Sequence, residues 1–197
     1  MTAKLLIKHH PKLPTFYLLP KIHKFNNPGR PIVSACSCPT EHISEHLDAV
    51  LQSLVQSLPT YIKNSTHALN LIEDINQTPN FEPKYLFTMD GTSLYTCIPH
   101  SDGLKALKHF FNRRATPDPP TDTLIRLAKL VLNKNTFSCR EEVFSQMSGV
   151  AMGTKMGSSY ACLFMGHLEH TLLQQYKKPV PEIYKKDTSM TALAQPH

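Results

Sequence analysis

No stretch of this sequence approaches the ~18 consecutive apolar residues that a membrane-spanning helix needs, and the opening run MTAKLLIKHH is too short in apolar residues for a secretory signal. Internal repeats and low-complexity blocks are absent as well. An intracellular chain with no membrane partner is therefore expected. The five cysteines are an odd number, which does not fit a paired disulfide framework, so reduced thiols are expected. Acids are scarce: 15 Asp and Glu stand against 21 Lys and Arg, a formal charge of +6 with a pI near 9.1. The cations are scattered rather than gathered into a tail. That pattern favours a surface facing a polyanion, with nucleic acid the first partner to consider. A chain of 197 residues can bury one sizeable core.

What is present is a mixture of β-rich and helical segments, so an α/β (α+β) fold is expected. TFYLLPKI and RPIVSAC read as a hairpin, with Asn27-Pro28-Gly29-Arg30 suited to a type II turn. Thr40 precedes a helix with an apolar stripe of Ile43, Leu47, Val50, Leu51, Leu54 and Val55, stopped by Pro59. STHALNLIEDIN predicts a second helix capped by Ser65, with Ala68, Leu69, Leu71, Ile72 and Ile75 on its apolar face. KYLFTMD reads as a buried strand ending at Asp90, and Pro99 to Phe111 as a helix. After the loop RRATPDPPTD, a helix capped by Thr121 or Thr123 is predicted, then a hairpin turning at CREE. The glycine-dense GVAMGTKMG precedes a long helix starting at Ser158 or Ser159.

Three features carry possible chemistry. Asp90, in FTMDGTSLYTCIP, is either a turn-former or the carboxylate of a magnesium site, which uses one or two carboxylates together with substrate phosphates. Lys21, Lys24 and Arg30 surround one tight turn and could meet one triphosphate; the alternative is solvated turn charge. The loop from Gly149 to Gly157, including Met152, Gly153 and Lys155, could cradle an anion at a helix start or allow close packing of helix on sheet. It lacks the G-x-x-x-x-G-K-[ST] spacing of a P-loop. Cys36, Cys38, His42 and His46 form a further cluster, but C-x-C is not the usual knuckle, and two histidines on a solvated helix face need no metal. No zinc is expected there.

The order basic hairpin, helices, Asp at a strand end with Tyr95 five residues later, then a glycine loop opening a helix resembles a reverse transcriptase. More narrowly, FYLLPKIHK, NPGRPIVSAC, PTEHIS, LPTYIKNST, LFTMDGTSLYTCIPH and GVAMGTKMGSSYACLFMGHLE resemble the reverse transcriptases of Penelope-like retroelements, relatives of telomerase, over roughly residues 10–186.

The resemblance implies an incomplete right-hand polymerase: a fingers-like segment at 1–85, a partial palm at 86–186 and a divergent, disordered tail at 187–197. Lys21 and Arg30, with Lys24 a weaker candidate, would hold the triphosphate of an incoming dNTP. Asp90 would be the first catalytic aspartate and bind Mg²⁺, helped by the carbonyl of Gly91, and Tyr95 would screen the sugar 2′ position. The loop with Gly149, Met152, Gly153, Lys155 and Gly157 would sit beside the RNA template and DNA primer. Met152 stands where many reverse transcriptases have glutamine, Gly91 where the family has a residue such as valine, and Ser158 where it has proline.

The family's Tyr-x-Asp-Asp strand has no counterpart. After PEIYK comes KDTSMTALAQPH, and no Asp-Asp pair occurs anywhere in the sequence. The expectation is a fragment of an RNA-directed DNA polymerase, lacking an amino-terminal part, the thumb and a GIY-YIG endonuclease domain. It is expected to be inactive by itself, and a nuclear location follows only from that chemistry. The alternatives are a non-catalytic nucleic-acid-binding remnant and a gene fragment without function.

Overall fold

The computed structural model describes residues 6–22, 25–79, 91–175, 177, 183 and 185–187. The segments TFYLLP and GRPIVS form an antiparallel pair, β1 (Thr15–Pro20) and β2 (Gly29–Ser34), in register from Thr15 against Ser34 to Pro20 against Gly29. The Lys21 N–H donates to the Pro28 carbonyl at 3.0 Å, so pairing continues past the strands. Gly29 therefore lies inside β2, and no type II turn forms at 27–30. The left-handed residues are instead Asn26 and Asn27, with φ of 61° and 43°, a region that asparagine tolerates better than most side chains.

The hairpin expected around CREE is present as β4 (Thr136–Cys139) and β5 (Glu142–Ser145). β4 lies parallel to β1 through Thr15 and Ser138, giving a mixed four-stranded sheet in the order β2-β1-β4-β5. A separate small pairing joins β3 (Tyr61–Ile62) in parallel to β6 (Lys186–Asp187).

Among the described residues six helices make up the rest: α1 (Glu41–Gln56), α2 (Ser65–Asn76), α3 (Leu94–Cys97), α4 (His100–Phe111), α5 (Thr121–Asn133) and α6 (Gly157–Gln175). Apolar positions of the helices other than α2 meet in one core, in which Leu47 and Leu51, Leu107 and Phe111, Leu124, and Tyr160 and Leu163 are all buried. Burial of each such leucine contributes roughly 1.5–3 kcal/mol. The core draws on residues on both sides of position 85, so the segments 1–85 and 86–186 expected as separate units share it. Helix α4 can approach α6 because position 103 is glycine: a Cβ there would overlap the ring and hydroxyl of Tyr160. The fold class is mixed, with α and β elements largely segregated into helical core and sheet.

Several expected details differ. Asn64, not Ser65, caps α2, accepting the His67 N–H at 2.8 Å. None of the apolar residues of α2 is buried, and Leu69 and Ile72 are 65% and 54% exposed. Proline 120 occupies the capping position of α5, which leaves neither Thr121 nor Thr123 as its cap. α6 begins at Gly157, so Ser158 and Ser159 are already in its first turn. The expected strand at 84–90, and with it Asp90, lies outside the described residues, as do Lys24 and the tail from 188 onward.

Candidate nucleotide and nucleic-acid site

Three segments far apart in sequence meet at the glycine loop. The Val150 N–H donates to the Tyr95 carbonyl at 2.7 Å, and the Gly149 N–H to Ile98 at 2.9 Å. On the other side, the Val33 N–H of β2 donates to the Met152 carbonyl at 3.0 Å. The glycines make this clamp possible. Gly149 (φ 75°) and Gly153 (φ 117°) adopt left-handed backbone, and a Cβ would overlap the Tyr95 carbonyl oxygen at the first and the Val33 carbonyl oxygen at the second. The basic hairpin, the segment after Asp90 and the glycine loop are thereby brought together.

The loop's donors face mostly inward. The N–H groups of Gly149, Val150, Thr154, Met156 and Gly157 go to protein acceptors. Five such bonds assign the glycines to close packing and turn those groups away from a phosphate. Lys155, whose residue is exposed, supplies the loop's positive charge.

Lys21 and Arg30 are half-buried; Arg30 pairs with Leu19 across the hairpin, one ladder step from Pro20 and Gly29, beyond which Lys21 follows. Gly91 is exposed and opens a turn that ends at Ser93, a non-glycine residue in the left-handed region with φ 55°. Such a conformation stores on the order of 1 kcal/mol. Tyr95 follows in α3 and is 8% exposed, its ring 3.7 Å from where a Cβ on Gly157 would stand. Only a small part of that ring faces outward.

Sequence reasoning missed the residues that hold the loop from below. Ser44, Asp48 and Gln52 form an i, i+4, i+8 column on α1 beside its apolar stripe. Ser44 Oγ accepts the Met156 N–H at 2.9 Å, in a buried position. Ser159 Oγ donates to Asp48 Oδ1 at 2.5 Å and accepts from Gln52 Nε2 at 3.1 Å. Burial pushes the Asp48 carboxyl above its ordinary range, opposed by the bonds from Ser159 and Gln52 and by the charge of Lys155. His100 adds a tie from the far side, its Nε2–H donating to the Gly149 carbonyl at 2.8 Å. The available signal was the polar column on an otherwise core-facing helix.

A two-metal site needs carboxylates enough for two dications about 3.5–4 Å apart. Among the described residues no group of three His, Cys, Asp or Glu side chains is arranged to hold a metal. Asp102 pairs with Lys105 at 2.9 Å on the surface of α4, and Asp48 is engaged by Ser159. Asp90 and the Gly91 carbonyl by themselves supply too few ligands to fit a Mg²⁺ pair. Cys38 is buried with its Sγ 3.4 Å from Thr40 Oγ1, while Cys36 is exposed. Among the described residues no helix is long and apolar enough to cross a membrane. No protein-family model and no curated protein sequence matches this chain.

Proposed function

We propose that this chain is the fingers and part of the palm of an RNA-directed DNA polymerase of the Penelope-like type, gripping a nucleotide and a primer–template. What supports the reading is the meeting of three segments at the glycine loop, through Val33 with Met152 and Tyr95 with Val150. Those three segments carry the resemblance, and a polymerase needs them adjacent. In this reading Lys21 and Arg30 meet phosphate as cations on a rigid ladder. Tyr95 stands near the sugar, and Asp90 supplies one carboxylate of the set that phosphoryl transfer requires.

With no Asp-Asp pair in 197 residues, the chain binds without carrying out synthesis alone. A purely nucleic-acid-binding role is the second reading, favoured by that same carboxylate shortage. Equilibrium binding of an RNA–DNA primer–template across a salt series tests the common element. Retention at low salt that falls steeply as salt rises is expected. Indifference to the primer–template at low salt would contradict it.

A further inference from the structure

Four cations gather on a face that neither the hairpin turn nor the glycine loop uses. On α5, Arg126, Lys129, Leu130 and Asn133 follow the i, i+3, i+4, i+7 spacing of one helix face, and with Lys134 they line an open depression. Lys134 also lines a second depression, together with Lys12, Asn135 and Thr40, the cap residue of α1, whose hydroxyl makes no capping bond. The two depressions therefore adjoin, and among the described residues that line them there is no Asp or Glu. Lys12, Arg126, Lys129 and Lys134 are exposed, and none of them makes an ion pair among the described residues. Of the acids close to the stripe in sequence, Glu41 is held by Lys8 at 2.6 Å, and Asp122 stands one turn before Arg126, outside both linings. Lys12 precedes β1 and Lys21 follows it, so the stripe is separate from the hairpin cations.

We propose that this stripe is a second contact for the phosphate backbone of a nucleic-acid strand, an inference that rests on the nucleic-acid reading above. Solvation alone accounts for a single exposed cation, and the dipole at the end of α5 favours Lys134 where it stands. Neither accounts for four cations, drawn from two segments far apart in sequence, with no acid between them. Their mutual repulsion works against the fold, and a bound polyanion relieves it. From Arg126 to Lys134 the helix rises about 12 Å at ~1.5 Å per residue, which at one phosphate per ~3.4 Å of strand is room for three or four phosphates. A lone anion would meet only part of that length. Leu130, 40% exposed, lies among the stems of Arg126 and Lys129 and gives the first depression an apolar floor beneath charged heads, which suits the sugars between phosphates. An acidic protein would answer the same charge, but a formal charge of +6 and a further cation pair at Lys21 and Arg30 suit a partner that is anionic along its whole length.

The test follows the anisotropy of a labelled 20-nucleotide oligo(dT) across a salt series, with the parent and with the triple variant Arg126→Gln, Lys129→Gln, Lys134→Gln. A control variant, Lys63→Gln, Lys108→Gln, Lys177→Gln, removes the same charge from exposed residues outside both depressions. The stripe variant should lower the slope of log affinity against log salt by about 2, the effect of three lost contacts at ~0.7 each, while the control leaves it unchanged. If the triple variant fails to fold by circular dichroism, Lys129→Gln alone carries the test, with an expected fall of ~0.7. Binding with an unchanged slope in the stripe variant, or an equal fall in the control, overturns the stripe and leaves the nucleic-acid reading intact. No binding of the oligonucleotide by the parent at low salt removes that reading and the stripe with it. Displacement of the oligonucleotide by inorganic phosphate at matched ionic strength would mean that single anions fill the stripe, and overturns the proposal. So does a stripe variant that loses binding to poly-L-glutamate but not to the oligonucleotide, since it assigns the face to an acidic protein.

Discussion

Val33 on β2 donates its N–H to the carbonyl of Met152 at 3.0 Å, a single bond that couples the first hairpin to a loop about 120 residues later. Beside it, the Val33 carbonyl closes over Gly153 so tightly that no Cβ fits. The hairpin and the loop are thus fixed against each other by backbone, independently of the side chains that would meet a ligand.

Gly153→Ala and Gly149→Ala should each destabilise the fold. Each adds a Cβ against a carbonyl and forces alanine into left-handed backbone, at a cost of about 1–3 kcal/mol or more. Thermal melts should fall by several degrees, at ~2–4 °C per kcal/mol for a chain of this size. Gly91→Ala serves as the contrast, since its nearest neighbour is Leu94 Cβ at 3.9 Å; it should stay within about 0.5 kcal/mol. Equal melts for all three would contradict the clamp.

Asp48 should weaken the fold as it ionises. Its folded pKa is raised by burial, so the folded state holds the proton more tightly than the unfolded one. Its stabilising contribution is complete below the ordinary aspartate pKa and is lost as pH rises through the raised value. Asp48→Asn, which keeps an acceptor for Ser159, should flatten the melting profile across that window and leave the protein no less stable at pH 7. Asp48→Leu should destabilise by roughly 1–3 kcal/mol through the bonds lost by Ser159 and Gln52. A steeper acid profile in Asp48→Asn than in the parent would refute this.

His109 should act in the opposite direction. It stands on α4 with its ring 4.6 Å from His167 and 5.9 Å from His170 of α6. Among the described residues, its Nε2 and the Nδ1 of His167 are buried and meet no hydrogen-bond partner. Burial, then Arg113, His167 and His170, lower its pKa. The unfolded chain therefore binds the proton more readily, and stability falls as pH drops below about 6.5. His109→Phe should reduce the loss of melting temperature between about pH 7.5 and pH 5. An unchanged loss would remove His109 from the account.

Local patterns in the sequence sufficed for the two hairpins and for the helix stripe of α1, because alternation and 3.6-residue spacing are properties of neighbouring residues. Turn and cap chemistry was less legible. Asn26, Asn27 and Asn64 took roles that Gly29 and Ser65 also fitted; a ladder that extends to Lys21 and Pro28 decided the turn, and the bond from His67 to Asn64 the cap. The apolar face of α2 matched a core pattern, yet none of it is fully buried and Leu69 and Ile72 are exposed, since periodicity says what a face can bury and not what covers it. Within the candidate site, the glycine loop was legible as a loop but its clamp was not. Val33, Ser44 and Asp48 reach it only through tertiary folding. Asp90 and Lys24 lie outside the described residues.

Replacing both Lys21 and Arg30 with alanine should weaken primer–template binding and lower the slope of log affinity against log salt by about 1.5, the effect of two lost phosphate contacts. The fold should be unaffected by circular dichroism, because neither side chain belongs to the helical core. An unchanged slope would show that the hairpin cations are solvated turn charges.

Template-directed extension of a DNA primer tests the central claim most directly. It is measured for residues 1–197 and for a version in which 187–197 are replaced by a Tyr-Ile-Asp-Asp strand and a thumb. The account predicts no synthesis by the first with Mg²⁺ or Mn²⁺, for want of carboxylates to hold two metals. It predicts synthesis by the second that Asp90→Ala abolishes. Extension by the untouched chain that disappears in Asp90→Ala, or extension by the completed chain that survives Asp90→Ala, would contradict it.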